Sequence, residues 1–572
     1  MDKICKGFFT KLDGEQYYKI ENYDCMEDFF MTITSSSDIW NFCWAQGGVT
    51  AGRIDCDHAI FPYYTSDKVS DAKSYTGSYT AIQVQTCNGV VIWEPFSSLY
   101  SSQAIRNIVD KNIVRNIYKN KTGSCVWFEE INNELELSFR YCWTSSAKFG
   151  LVRKSIITNL SDKTADIKIL DGCRNILPAC VTADFQNNNS VLLDAYKKTD
   201  LEEKSNLALF AVSSIVTDKA EPSEGLFANT CWFSTKDTII LNPAAPNLFA
   251  NGKKIEKMSV VKGKRPAAYI LKEINLQKNS SESWYQVFDT RLDSVRVTDL
   301  CSRIVDRNAV TKELEKDIYE CQKLMETYIS ESDGFQQTAD LMTCSHHTQN
   351  VMFNIMRGGF FANNGKINLE DFVKFISQRN KNKIKEAETV LKQVKNKADK
   401  DGFVSYEELE QATKSCDNHQ LVRLFYEYMP LTFSRRHGDP SRPWNRFNIK
   451  LRDDNGNPIL NYEGNWRDIF QNWEALAWSY PQYIKNMTAK FLNAMTIEGF
   501  NPYHISREGI NWEVPDPNNP WAQIGFWGDH QVIYLEKLLE FYSDSNRDEL
   551  LSSLDAKIYA SSNVPYRIKS YK

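Results

Sequence analysis

Apolar and polar positions alternate with a period of two along the first half of the chain. In "ELELSFRYCW", Leu135, Leu137, Phe139, Tyr141 and Trp143 share one face and polar or small residues the other. That period is the pitch of a strand with one buried face. "SIITN", "ADIKIL", "LALFAVSSIV" and "TCWFS" continue it, with turn-forming clusters such as "NLSDKT" and "FQNNNS" between them. Strands this numerous, with few helical stretches among them, predict a large antiparallel β super-sandwich over residues 1–285.

From about residue 290 the period becomes helical. "RNAVTKELEKDIYECQKLMETYISES" places Val310, Leu314, Ile318, Cys321 and Met325 at steps of three and four, which predicts a long helix in a helical linker, residues 286–338. "DLMTCSHHTQNVMFNIMRGG" predicts another, closed by Gly358 and Gly359. Residues 366–430 read as a charged helical insertion, and the run "RNKNKIKEAETVLKQVKNKADKD" as its solvated face. Further helices are expected near 481–498, 529–543 and 546–560. Between the first two lies "GFNPYHISREGINWEVPDPNNPWAQIGFWGD", an aromatic loop of a length that compact domains usually reserve for function.

Inside the insertion, "ADKDGFVSYEEL" has the spacing of an EF-hand loop, with Asp399, Asp401, Gly402, Val404 and Glu408 at the third, fifth, sixth, eighth and twelfth positions. "NNGKINLEDF" echoes it upstream. The first position, which must give the ion a carboxylate oxygen, is Lys397 in one and Phe360 in the other. An ammonium there repels a cation, so Gly365 and Gly402 are expected to be turn residues and no metal site is expected.

Composition narrows the function. At 572 residues the chain is too long for one core, so two or three domains are expected. A net charge of −5 without a basic block argues against nucleic acid. No apolar run approaches the roughly 18 residues needed to cross a bilayer, and no signal peptide is evident. The 14 cysteines are scattered from Cys5 to Cys416 without metal-ligand spacing, as in a reduced cytoplasmic protein. No cofactor is expected.

Aromatic residues make up 13% of the chain, and seven of its 14 tryptophans fall between Trp444 and Trp527, interleaved with amides and carboxylates. "YEGNWRDIFQNWEALAWSYP" (462–481) concentrates the mixture. On a helix, Ile469, Trp473, Leu476 and Tyr480 share one face, and Asp468, Gln471, Asn472 and Ala475 the opposite one. A sugar offers hydroxyls for such a polar stripe and a C–H face for an aromatic platform. Trp466, Arg467, Asp468, Gln471, Asn472 and Trp473 are therefore candidate substrate-binding residues. The bland alternative is a polar network buried between helices. "FWGDHQVIYLEKLLE" repeats the device with Asp529 and His530 at a helix start, where Asp529 could instead be the N-cap. Arg435, Arg436 and His437 in "SRRHGDPSRPWN" form a cluster able to bind phosphate. Glu513 stands beside Trp512, where an apolar neighbour would raise its pKa and suit it to acid catalysis. Glu513 and Asp529 are the candidate catalytic carboxylates.

"VRKSIITNLSDKTADIKILDG" (152–172), "NWRDIFQNWEAL" and "FWGDHQVIYLEKLLEFY" together resemble segments of the cellobiose/chitobiose phosphorylase family and its inverting glycoside-hydrolase relatives. The resemblance implies an α+β multidomain protein: an N-terminal antiparallel β super-sandwich, a helical linker, then part of an (α/α)6 toroid at 339–572. "NWRDIFQNWEAL" is similar to the helix with which that family holds the non-reducing-end sugar, with Asn472 where the family has a second acid. The family's downstream general-acid segment has no counterpart before Lys572, and the helices after 339 number about half of a closed toroid. The chain is thus expected to stop inside its barrel.

The function expected is an inverting phosphorylase or hydrolase acting on oligosaccharides, with inorganic phosphate as possible co-substrate and a sugar 1-phosphate as partner. The alternatives are a non-catalytic carbohydrate-binding relative or a structural protein. A homodimer, or a separate chain completing the barrel, is the expected assembly.

Overall fold

Strands form where the period-two pattern places them: "ELELSFRYCW" yields Leu137–Ser146, and "SIITN" and "ADIKIL" fall within Gly150–Asn159 and Ala165–Arg174. The structure is a computed structural model that describes residues 3–213, 227–435, 438–442, 448–453, 457–512 and 531–563. The chain divides into two units, Met1–Glu326 with Gly438–Phe447, and Thr327–His437 with Asn448–Lys572.

The first unit is a β-sandwich. Its large sheet has eleven antiparallel strands, with Leu137–Ser146, Gly150–Asn159, Ser281–Leu292 and Ala228–Phe233 adjacent at its centre. A five-stranded sheet (Ile239–Ile240, Ala267–Leu276, Ala165–Arg174, Gly77–Thr86, Gly89–Trp93) and a four-stranded one (Phe30–Ile33 to Ala59–Phe61) complete it. All three sheets contribute to one apolar core: Phe128, Phe139, Trp143 and Phe288 from the large sheet, Ile82, Ile169 and Ile270 from the second, and Cys43 and Phe61 from the third.

The strand–turn–strand at 152–172 changes sheets at its turn, Gly150–Asn159 lying in the large sheet and Ala165–Arg174 in the five-stranded one. Asn159 fixes that turn, its Nδ2 donating to Lys163 and Leu276 carbonyls and its Oδ1 accepting from the Ser161 amide. Across the layers, Arg153 and Asp171 pair with both side chains fully buried, at 2.8 Å. Thr80, Ser155 and Trp284 also donate to the Asp171 carboxylate. A buried pair is tolerable only when its remaining lone pairs are satisfied in this way.

The last sandwich strand runs on to Leu292, beyond the expected boundary at 285. The segment expected as a linker, 286–338, is in large part a helical layer on the sandwich. Helices Ser294–Ile304 and Arg307–Ser330 supply Leu300, Ile304, Val310 and Leu314 to a cluster with Val152, Trp232 and Val287. The apolar stripe that predicts the helix also obliges it to be covered, and the sheet covers it.

The second unit is helical. Its longer helices are Leu341–Gly358, Leu369–Arg379, Ile384–Val394, Tyr406–Lys414, His419–Glu427, Trp466–Ser479, Ile484–Ala494 and Val532–Leu554. The last is interrupted at Asn546, whose φ of −157° and ψ of 79° are non-helical, in keeping with the two helices expected there. No described helix is long and apolar enough to cross a membrane.

Within the insertion the loop echo is borne out as geometry. Helices begin at Leu369 and Tyr406, the tenth position of each loop, and Gly365 and Gly402 take positive φ of 75° and 81°. A Cβ strains that conformation, so both are turn residues. Ile367 and Val404, the two eighth positions, pair in a short antiparallel bridge. The carboxylates meet ammonium groups and amides: Lys397 stands 4.0 Å from Glu408, Lys366 3.4 Å from Asp399, and Asp399 accepts from the amides of Asp401 and Phe403.

Candidate functional site

The helix Trp466–Ser479 begins directly from the strand Glu463–Asn465, which pairs with His504–Ser506, itself paired with Ile510–Asn511. The Trp466 amide donates to the Tyr503 carbonyl, pinning the helix start to this small sheet. Gly464 lets the strand pass close to the first turn, where a Cβ would meet Ile469 Cβ at 3.3 Å.

The two faces of the helix have different fates. Ile469, Trp473, Leu476 and Tyr480 are buried, as the period requires. Trp473 is fully buried: its Nε1 donates to the Gly358 carbonyl at 2.8 Å, and Tyr462 and Phe470 pack edge-on against its ring. Trp466, 1% exposed, packs among Phe470 and Phe491. Neither ring offers a face to a sugar, which corrects their expected part in substrate binding. Asn472 is also buried, its amide donating back to the Asp468 carbonyl. Gly358 packs so closely there that a Cβ would meet Asn472 Cβ at 2.9 Å. Asn472 is thus a helix-packing residue.

What remains for a ligand is Arg467 and Gln471, both exposed, and Asp468, half-buried in the first turn. None of the three has a side-chain partner among the described residues. Asp468 also lies at the positive end of the helix dipole, where its charge is favoured. Trp478 is 70% exposed and packs against Phe541, centroids 4.4 Å apart and rings tilted by 43°.

Beside the helix start, His504 Nε2 lies 3.1 Å from Glu463 Oε1, and Asn511 Nδ2 lies 3.2 Å from His504 Nδ1. An amide nitrogen only donates, so Nδ1 accepts and Nε2–H points to Glu463. This arrangement holds a carboxylate and an imidazole in fixed orientation on rigid strands. Nothing in the period of the sequence marks either residue; the signal is the short hairpin "HISREGIN", which brings His504 opposite Asn465.

Arg435 is buried with its guanidinium 5.5 Å from the Phe433 ring centroid. Its neighbour Ser434 donates to the Arg357 carbonyl at 3.0 Å and accepts from the Glu463 amide at 3.3 Å. The arginine therefore sits on the segment that braces the helix-start sheet. Arg436, His437, Glu513, Asp529 and His530 lie outside the described residues.

Three cations gather near Tyr462. Lys490 lies 5.2 Å from the Tyr462 ring centroid, Arg507 pairs with Asp371 at 2.5 Å, and Arg379 donates to the Arg507 carbonyl. Burial, with Arg379 and Arg507 nearby, pushes the Lys490 ammonium down to about 7.

Residues 361–430 match the family model of glycoside hydrolase family 149 insertion domain 1. That segment resembles an insertion of a glycoside hydrolase family. No curated protein matches the chain. Among solved structures, a bacterial glucoamylase complexed with acarbose is similar at 9% identity and a TM-score of 0.34, over 86% of this chain and 72% of that one. A human-microbiome protein assigned as a kojibiose phosphorylase is similar at 8% identity and 0.26, over 94% and 61%. A family GH92 α-mannosidase from Bacteroides thetaiotaomicron follows at 10% and 0.25, over 75% and 59%. The chain thus spans less than two thirds of the length of the last two, and none of these likenesses fixes an activity.

Proposed function

We propose that the chain is a carbohydrate-active enzyme that cleaves glycosidic bonds of oligosaccharides, as an inverting phosphorylase or hydrolase. The observation that carries this reading is the polar start of the Trp466–Ser479 helix, where Arg467, Asp468 and Gln471 face outward above a buried aromatic core. The match of residues 361–430 to a glycoside-hydrolase insertion supports it.

In this reading Asp468 and Arg467 hold adjacent hydroxyls of one sugar, the carboxylate accepting and the guanidinium donating. The Glu463–His504 pair lines the same end of the helix and orients the substrate. Glu513 or Asp529 supplies the general acid, and Arg435, Arg436 and His437 hold phosphate. A phosphorylase needs only the acid, since phosphate is itself the nucleophile, whereas an inverting hydrolase needs a second carboxylate about 6.5–9.5 Å away to activate water.

The test is incubation of purified protein with a panel of α- and β-linked gluco-oligosaccharides, with and without inorganic phosphate. Sugar 1-phosphate formed only with phosphate, and lost in Asp468→Ala, is the expected result. Free sugar formed equally without phosphate identifies the hydrolase. Neither product from any member of the panel overturns the proposal.

A further inference from the structure

The sandwich of the first unit holds a polar cavity lined by residues of that unit alone. Its volume is about 190 Å³, and its walls come from strands of the large and five-stranded sheets, the turn at Ala45 and Gly47, and the segment between residues 94 and 100. A cavity of roughly 150 Å³ admits a benzene ring, so this one has room for a substituted six-membered ring. A dry apolar void of that kind would be lined by aliphatic side chains. This one is not.

Two walls are aromatic. Phe128 and Tyr141 stack with centroids 5.1 Å apart, and Phe96 meets Tyr141 edge-on at 5.5 Å. Against them stand polar groups with capacity to spare. Tyr23 is 1% exposed, and its hydroxyl has no partner among the described residues. Arg174 lies over the Tyr79 ring at 4.6 Å with its buried Nε unpaired. Glu94 accepts from the Tyr79 hydroxyl at 2.5 Å through one oxygen, and its carboxylate retains further acceptor sites. A buried hydroxyl and a guanidinium nitrogen left unsatisfied are costly, and in native proteins such groups are met by a ligand or ordered water.

We infer that this cavity is a binding site for a neutral six-membered polyol ring, a single hexose. The ring packs against the edges of Phe96, Phe128 and Tyr141, its hydroxyls accept from Arg174 and Tyr23, and one of them donates to Glu94. A neutral polyol suits a site that holds one cation and one carboxylate together, because it can donate to one and accept from the other. A carboxylated or phosphorylated ligand would be repelled by Glu94. The inference does not depend on the function proposed above.

Ligand-observed saturation-transfer NMR with glucose, galactose and mannose tests it on the full chain, the wild type beside three variants. Ser74→Trp plugs the cavity from an exposed position on its rim, where the fold is not disturbed. Arg174→Met removes the cation while keeping the stem. Asp468→Ala removes the helix-start site. Transfer to at least one hexose is expected in Asp468→Ala, where the helix-start site is removed, abolished there by adding Ser74→Trp and weakened at least tenfold there by adding Arg174→Met. No transfer in Asp468→Ala, or transfer that survives when Ser74→Trp is added to it, overturns the inference. Transfer lost only in Asp468→Ala assigns the hexose to the helix start and overturns it equally.

Discussion

Two aspartates show how differently the two units use polar groups. Asp171 sits at zero exposure between the sheets, its carboxylate met by Arg153, Thr80, Ser155 and Trp284. Asp468 begins a helix half in solvent, and no described side chain donates to it. In the sandwich the charge is consumed by the fold, and taking it away leaves a cation stranded. At the helix start the charge is left over, and the fold has no need of it. A polar group that structure does not require is the one to suspect of chemistry.

The comparison makes its largest prediction at the sandwich. Asp171→Ala strands Arg153 in the core and should destabilise the first unit by about 3–5 kcal/mol, read as a lowered urea midpoint. A loss under about 1 kcal/mol would mean that water reaches the pair, and the contrast would collapse. Trp473→Ala should cost the helical unit a similar amount, about 3–5 kcal/mol, with no separate effect on ligand affinity beyond that of unfolding.

Lys490 gives a pH dependence. The unfolded chain keeps its proton up to the ordinary 10.5, and the folded chain releases it above about 7. The unfolded state therefore binds more protons in that window, and stability rises with pH by up to about 1.4 kcal/mol per unit. The groups facing Lys490 are Arg379, Arg507, Glu427 and the Tyr462 ring. Comparing urea midpoints at pH 7 and 9.5 should show the rise in the wild type and its disappearance in Lys490→Met. Equal slopes would place the ammonium in water.

Asp468→Ala should leave stability within about 0.5 kcal/mol while weakening oligosaccharide binding by about 1.5–3 kcal/mol, or roughly ten- to 150-fold, by calorimetry. A variant that loses stability and keeps affinity would make Asp468 another Asp171. The smallest effect concerns the insertion. EDTA should shift the melting temperature by less than about 1 °C, since Lys397 already pairs with Glu408 at the twelfth position. Lys397→Asp should make the same transition rise with added Ca²⁺, because it restores the carboxylate that the loop lacks.

Much of this was legible in the chain, and for a definite reason. Alternation fixes which face of a strand is buried, and steps of three and four fix helices such as Arg307–Ser330 and Leu341–Gly358 closely, because both patterns are local. The spacing of Gly365, Gly402 and the helix starts carried the insertion's loop geometry for the same reason. The buried stripe of Trp466–Ser479 was readable as well. The fate of individual aromatics within it was not. Trp466 and Trp473 share with sugar platforms a large ring beside polar neighbours, and only the approach of Gly358 and Phe491 from other helices shows that both are core. His504 and Glu463 are 41 residues apart and meet only because two short strands pair. Likewise, nothing local says that the strands on either side of residues 160–164 belong to different sheets. The sequence by itself determined the elements and their buried faces, since those follow from the period of neighbouring residues. Only the tertiary structure decided which polar and aromatic groups are used up by packing and which remain free, since that depends on partners the chain brings from far away.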